Sequence, residues 1–237
     1  MDKTRILVWD LPVRLTHWSM ALSFAGAFLT AESERVRDLH VAFGYSFMAL
    51  IAFRLLWGLI GTRHARFASF AYGPKAVLAY VRSLPTRTPL HFVGHNPAGS
   101  WAIFAMLALG IAIGVSGYVL YEDAGGRWTE SLHEGAANAM LALVVVHVAA
   151  VLVSSLLHRE NLVAAMVTGR KRGAASEGIG RSRFAAATAA VVAFAVAALW
   201  GAAYGLPDAA PESATSVPAG NGVHDARVKH RDRGDDS

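Results

Sequence analysis

The chain has 237 residues, of which 54% are hydrophobic and 16% are charged, and its net charge is +5. Soluble domains carry about a quarter charged residues, so this composition is that of a membrane protein. The basic residues are segregated by loop rather than clustered on one face, and therefore do not predict a nucleic-acid partner. The absence of cysteine excludes disulfides, thiolate zinc sites, cysteine-ligated iron–sulfur clusters and thioether-attached haem.

Five apolar runs are each near the twenty or so residues that a membrane-spanning helix requires. Helices are the spanning structure expected for separate runs of this length, because every backbone group in lipid must be paired internally. The first run lacks a small-residue cleavage site and is followed by further spans, so we expect it to be retained. The predicted spans are residues 15–31, 39–60, 100–121, 132–157 and 184–206.

Basic residues predict the orientation of these spans. They are concentrated in the N-terminal segment, in the loop between spans two and three, and after span four, and residues 61–98 contain no acid. The positive-inside rule then places the N-terminus in the cytoplasm and, with five spans, the C-terminus outside, which is the periplasm if the cell is Gram-negative. Lipid is therefore the first expected partner.

The predicted fold is therefore all-α, a four-helix transmembrane domain at residues 1–172 with an additional transmembrane helix. A basic cytoplasmic linker at 173–183 leads to that fifth helix at 184–206, and a polar tail at 207–237 is expected to be disordered. Residues 73–84 form a predicted amphipathic helix, which is either an interfacial helix at the cytoplasmic surface or an ordinary loop helix.

Four histidines lie at the ends of these spans or inside them, where an ionisable group indicates function. His133 and His147 lie fourteen residues apart on one predicted helix, so they point the same way and are about 21 Å apart along its axis. By depth, His17 can then meet His147 near the cytoplasmic side, and His40 can meet His133 near the outer side. Two stacked bis-histidine sites follow.

Each pair suits a non-covalent haem b, because haem needs only two axial ligands and neutral imidazole supplies them. Zinc is a weaker alternative, since two histidines per site leave its four-coordinate sphere incomplete. Histidines that merely cap helices or bond across the bundle are the remaining alternative.

Three further residues are candidates for binding the cofactor. Arg54 shares the face of His40 near the cytoplasmic end of its helix, where it either contacts a haem propionate or reaches the lipid headgroups. His95 and Asn96 precede span three, where they either form a turn or contact haem propionate or quinone at the cytoplasmic face.

The chain resembles the bacterial cytochrome b561 family, which is related to the b-type cytochrome subunits of nickel–iron hydrogenases. The resemblance covers about residues 8–172 and is carried by VWDLPVRLTHWSM, LHVAFGYSFMALIAFRLLWGLIGTRHARF, GHNPAGSW and LHEGAANAMLALVVVHV. It implies a four-helix di-haem b electron carrier in the inner membrane. It carries haem ligation onto His17, His40, His133 and His147 and a haem-environment role onto Arg54. The fifth span and the tail depart from that four-helix pattern.

The leading functional hypothesis is an electron-transfer cytochrome that links the quinone pool to a redox partner in a respiratory chain. That partner would be a c-type cytochrome or an oxidoreductase subunit, soluble or in the membrane. The alternative is a haem-bearing anchor subunit of a hydrogenase-like or other oxidoreductase complex. A haem-free transporter would need polar groups and unwound helices at mid-membrane, and the spans show neither.

Overall fold

The computed structural model describes residues 4–86 and 88–180, which form six α-helices, one two-stranded sheet and three short 3-10 turns. The predicted fifth span at 184–206 and the tail at 207–237 lie outside the described residues, as does the end of the predicted linker. The helices are α1 Leu11–Thr30, α2 Arg37–Ile60, α3 Pro74–Ser83, α4 Pro97–Tyr121, α5 Arg127–Leu157 and α6 Leu162–Thr168, and the strands are β1 Thr4–Leu7 and β2 Arg170–Gly173.

Each of the first four predicted spans coincides with a long helix. Among the described residues, three segments are long and apolar enough to cross a membrane, namely Glu34–Ile60, Pro97–Tyr121 and Arg127–Leu157. These segments confirm that the protein is a helical membrane protein. Helix α1 is not one of the three; it has 20 residues and packs against α2. That α1 spans the membrane as a fourth helix therefore stays a prediction.

Two helices begin a few residues before the predicted spans, each directly after a capping residue. Asp10 Oδ1 accepts a hydrogen bond from the Val13 amide at 2.8 Å, and Asn96 Oδ1 accepts one from the Gly99 amide at 2.7 Å. Each cap is followed by a proline in the first turn, where a missing amide proton costs nothing. Hydropathy marks only the apolar part of a helix, so the observed starts lie three to four residues before the predicted ones.

Among the long helices, α5 packs closely against α4 but not against α1 or α2. Helix α1 packs against α2, α2 packs against α4, and α4 packs closely against α5. The backbone of α5 approaches α1 and α2 at few positions. Side chains meet in the middle of the bundle, where Phe47 and Ile51 of α2, Leu107 of α4 and Met140 of α5 form one buried cluster.

A small sheet corrects the all-α prediction. Strands β1 and β2 pair antiparallel, with Thr4 opposite Gly173. The amides of Val8 and Trp9 both donate to the carbonyl of Gly169, at 2.8 and 3.0 Å. Gly169 has a φ of +79°, which favours glycine, and a Cβ there would lie 2.5 Å from the Trp9 carbonyl oxygen. The sequence before α1 and after α5 therefore meets at one end of the bundle, which we name the N-terminal face.

A buried carboxylate ties α1 to α2 at this N-terminal face. The Asp10 residue is 2% exposed. Besides capping α1, its Oδ2 accepts hydrogen bonds from Trp57 Nε1 at 3.1 Å and from the Thr62 hydroxyl at 2.7 Å. The two donors lie at the end of α2 and just after it, so Asp10 sets the position of one helix end against the other.

We expect Asp10→Ala to destabilise the protein by about 2–4 kcal/mol, because it removes the cap and leaves two buried donors without an acceptor. Thermal unfolding in detergent, followed by circular dichroism, measures this loss. Asp38→Ala is a matched control, because Asp38 is an exposed acid in the first turn of α2. That control should cost less than about 1 kcal/mol. Equal losses in the two variants would contradict a stabilising role for Asp10.

Candidate cofactor site

The first imidazole pair joins α1 to α5 near the N-terminal face. The rings of His17 and His147 have centroids 6.5 Å apart and an interplanar angle of 53°. Nδ1 of His17 is buried and has no hydrogen-bond partner, and no hydrogen bond involves the His147 side chain among the described residues. The structure thus brings together the two residues that topology pairs; outside the pair, the His17 ring meets the Trp18 ring edge-on at 5.2 Å between centroids.

The second imidazole pair joins α2 to α5 at the opposite face. The rings of His40 and His133 have centroids 6.2 Å apart and an interplanar angle of 70°. Nδ1 of His40 lies 2.8 Å from the Ala27 carbonyl oxygen, and Nδ1 of His133 lies 3.0 Å from the Ile113 carbonyl oxygen. A carbonyl can only accept, so each Nδ1 carries the proton and each Nε2 keeps a free lone pair.

The two pairs lie at different depths, with apolar side chains between them. Helix α5 runs without interruption from Arg127 to Leu157, so the fourteen residues from His133 to His147 correspond to about 21 Å. Met140, midway between them, is 3% exposed and belongs to the central cluster. The structure therefore has two separate imidazole sites rather than one cluster of four rings.

The separation within each pair fits a metal held between two rings. Metal–imidazole bonds are about 2.0–2.1 Å long, so two rings bound through Nε2 on opposite sides of one ion have centroids about 6 Å apart. Among the described residues, no group of three or more His, Cys, Asp or Glu side chains is placed to hold a metal ion by itself. Two axial imidazoles therefore need a cofactor that brings its own equatorial ligands, as haem does.

The backbone beside the second pair also leaves room for a flat cofactor. A Cβ built at Gly44, one turn after His40, would meet no atom of the described residues within 4 Å.

Arg54 is buried near the N-terminal face and does not reach out of the bundle. It is 6% exposed, its Cζ lies 4.9 Å from the centre of the Phe67 ring, and its Nη1 has no hydrogen-bond partner in the part of the chain that the structure describes. The spans contain no acid that could pair with it, but Asp10, just before α1, acts on it electrostatically. An unpartnered guanidinium nitrogen at this depth fits an anionic group of a ligand.

His95 lies at the same face, between two aromatic rings. Its ring centroid is 4.5 Å from that of Trp9 and 4.3 Å from that of Phe70, and its Nδ1 is buried without a hydrogen-bond partner. Burial lowers the pKa of His95 to about 3, and the positive charges of Arg54 and Lys171 contribute. The ring is therefore neutral at physiological pH.

Asn96, next to His95, already has a structural use. Its Oδ1 caps α4, and its carbonyl accepts a hydrogen bond from the Ser100 hydroxyl at 2.9 Å. Of its side-chain amide, the nitrogen Nδ2 is left for a ligand. The structure therefore favours the turn-forming role, and a ligand contact stays a prediction.

The sequence analysis missed three residues that act on the site. Ser116 Oγ lies 3.1 Å from His133 Nδ1, and a Cβ at Gly117 would lie 2.9 Å from Cε1 of the same ring. Both are on α4. Asp10 was missed because it lies outside the spans. The motif WDLP, an acid just before a proline at a helix start, is a capping signal that could have identified Asp10.

A helical membrane bundle that holds two imidazole pairs at two depths has the arrangement expected of a b-type membrane cytochrome. A family model described as prokaryotic cytochrome b561 matches residues 8–169, and the chain belongs to that family. It is thus a bacterial membrane protein that carries haem b and takes part in electron transport.

Several relatives have identical residues at about a quarter of the aligned positions. A "Probable Ni/Fe-hydrogenase B-type cytochrome subunit" from Azotobacter vinelandii is 27% identical over 214 residues, which are 70% of this chain and 88% of that protein. Proteins of the same name from Rhizobium leguminosarum bv. viciae and Bradyrhizobium diazoefficiens are 24% and 25% identical, over 72% and 73% of this chain and 90% and 88% of theirs. No solved structure matches the chain significantly.

The neutral state of His95 predicts a pH dependence of stability. Its pKa is about 3 in the folded chain and 6.5 in an unfolded one, so between these values the unfolded state binds more protons. Stability should therefore rise with pH up to about 6.5, by at most about 1.4 kcal/mol per pH unit from this residue. His95→Gln should flatten the change in unfolding midpoint between about pH 5 and pH 7. An unchanged pH profile would contradict the buried, neutral ring.

Proposed function

We propose that this chain is a di-haem b-type cytochrome in which His17 with His147, and His40 with His133, each bind one haem b. One observation carries the proposal: within each pair, the ring centroids lie 6.5 or 6.2 Å apart, although the four histidines come from three different helices. Haem supplies reversible one-electron chemistry when it is bound. Filling both axial positions with imidazole leaves no open position for oxygen, which suits electron transfer.

The chain's own residues would hold these sites and fill the space between them. Helix α5 contributes one ligand to each site, so the spacing of the sites is set by a single rigid element. The cluster around Met140 fills the space between them and excludes water from the interior. Arg54 lies where it would contact a propionate of the site near the N-terminal face.

We further propose that electrons pass between a quinone pool and a redox partner in the bacterial inner membrane, with the N-terminal face in the cytoplasm. The relatives named as Ni/Fe-hydrogenase subunits support a hydrogenase-like partner. His95 and the amide nitrogen of Asn96, close to Arg54, are the candidates for quinone binding. The same relatives favour a second candidate function, a haem-bearing anchor subunit active only in a complex, which would not oxidise quinol as an isolated chain.

Haem content of histidine variants tests the pairing. Each of His17→Ala, His40→Ala, His133→Ala and His147→Ala should lose about one of two haems, measured as pyridine haemochrome, because haem iron needs both axial ligands. The double variant His17→Ala/His147→Ala should lose no more than either single variant, whereas His17→Ala/His133→Ala should lose both haems.

The control for this series is His158→Ala, which removes a histidine at the N-terminal face outside both pairs and should keep full haem content. Size-exclusion chromatography and circular dichroism verify that each variant folds. Haem loss that is additive within a proposed pair, or absent from a single variant that folds, would overturn the proposed ligation.

A further inference from the structure

We infer that α3 lies in the plane of the membrane at the N-terminal face and docks on anionic phospholipid. Its residues Leu78 and Val81 enter the acyl boundary, while Lys75 and Arg82 bind the headgroup phosphates. Of the two alternatives for this segment, an interfacial helix and an ordinary loop helix, the contacts of α3 favour the first. The inference concerns only α3 and does not depend on the proposed haem ligation.

One side of α3 is fixed against the bundle through Tyr80. This residue is 3% exposed, and its ring centroid lies 5.8 Å from that of Phe92 in the loop before α4. Its side chain also hydrogen-bonds to Ser154 in the last turn of α5. Helix α3 packs against α4 as well. It therefore lies across the ends of two membrane helices, with a defined side turned away from them.

The side turned away carries an apolar strip next to a basic strip. Leu78 and Val81 are 50% and 47% exposed, and Lys75 and Arg82 are exposed too. At about 100° per residue, Leu78 and Val81 lie about 60° apart, and Leu78 lies about 160° from Tyr80. Lys75 and Arg82 lie within about 20° of each other, beside Leu78. Neighbouring apolar and basic strips on an exposed surface are typical of a helix in the membrane interface.

The depth of α3 is set by a tryptophan at the start of α4. Trp101 is 49% exposed, and its Nε1 donates a hydrogen bond to the Tyr72 carbonyl oxygen at 2.9 Å. Exposed tryptophan near the end of an apolar membrane helix marks the level of the headgroups. Helix α3 begins at Pro74, two residues after Tyr72, and its 10 residues extend about 15 Å, too short to cross the bilayer. It therefore starts at the membrane surface and stays there.

The charge around α3 selects an anionic occupant. Residues 61–98 contain no acid. Among residues 4–86 and 88–180, neither Lys75 nor Arg82 forms an ion pair, since the two ion pairs there both involve Glu160. An anionic membrane surface attracts basic segments of this kind. A second copy of the chain that docked here about a two-fold axis would instead bring like charges together.

Contact with lipid can be measured at single labelled positions, because the chain has no cysteine of its own. The full chain carrying Leu78→Cys, labelled with nitrobenzoxadiazole, is reconstituted in phosphatidylglycerol/phosphatidylcholine liposomes. Spin-labelled phospholipid should quench this label at least twofold more than a label on Arg170→Cys, which replaces an exposed residue of β2. Ile111→Cys, on the exposed side of α4 midway along the helix, is the hydrocarbon reference. Each signal is compared with the same variant in liposomes without spin label.

The outcomes separate the possible surroundings of α3. Equal quenching of the labels at positions 78 and 170 by lipid would overturn the inference. So would strong quenching of the label at position 78 by aqueous iodide, which a loop helix in water predicts. Shielding of that label from both iodide and lipid would mean that protein covers α3, and would overturn it too. Circular dichroism and size-exclusion chromatography verify that each variant folds.

The preference for anionic lipid is tested by changing the headgroup. At equal mole fraction, spin-labelled phosphatidylglycerol should quench the label at position 78 at least twofold more than spin-labelled phosphatidylcholine. Lys75→Gln/Arg82→Gln should abolish this difference, whereas Arg170→Gln/Arg172→Gln, which removes two exposed charges of β2, should keep it. Salt at about 1 M should weaken it in the chain with both cations, because it screens exposed charges. Equal quenching by the two lipids before any charge is removed would overturn the anionic preference.

Discussion

The arrangement depends on α5 packing closely against α4 while its imidazoles reach across to α1 and α2. Close packing along one side orients the whole helix, and residues 133 and 147 then share the face that is turned to the other two helices. Because one continuous helix carries an imidazole of each pair, a shift of α5 would disturb both pairs together. This explains why most of its close contacts are made with a single neighbour.

The N-terminal face is held by polar contacts rather than by apolar packing alone. The strand pair and the two amides on the Gly169 carbonyl join chain segments more than a hundred and fifty residues apart. The bonds from Trp57 and Thr62 to Asp10 tie the start of α1 to the end of α2. These contacts lie around the first imidazole pair, Arg54 and His95. The same face therefore combines these hydrogen bonds with the unpartnered polar atoms that a ligand would satisfy.

Much of the site could be predicted because membrane depth restricts which residues can meet. Hydropathy located the helices, and the fourteen-residue spacing of His133 and His147 then allowed one pairing for each of them. The sheet was missed because short polar strands leave no periodic signal, and the pairing of β1 with β2 depends on where α1 and α5 end. Ser116 and Gly117 were missed because small residues on a lipid helix also suit plain helix packing, and only coordinates show which neighbour they contact.

The gap between α5 and the α1–α2 pair has a consequence for how this protein accumulates in a cell. A haem bound between these helices would supply contacts that the polypeptide does not make for itself, and it would act as part of the hydrophobic interior. A ligand that binds only the native state adds its binding free energy to folding. Membrane insertion of the chain and the supply of haem should therefore be coupled. A cell starved of iron or of porphyrin should degrade the haem-free polypeptide rather than accumulate it.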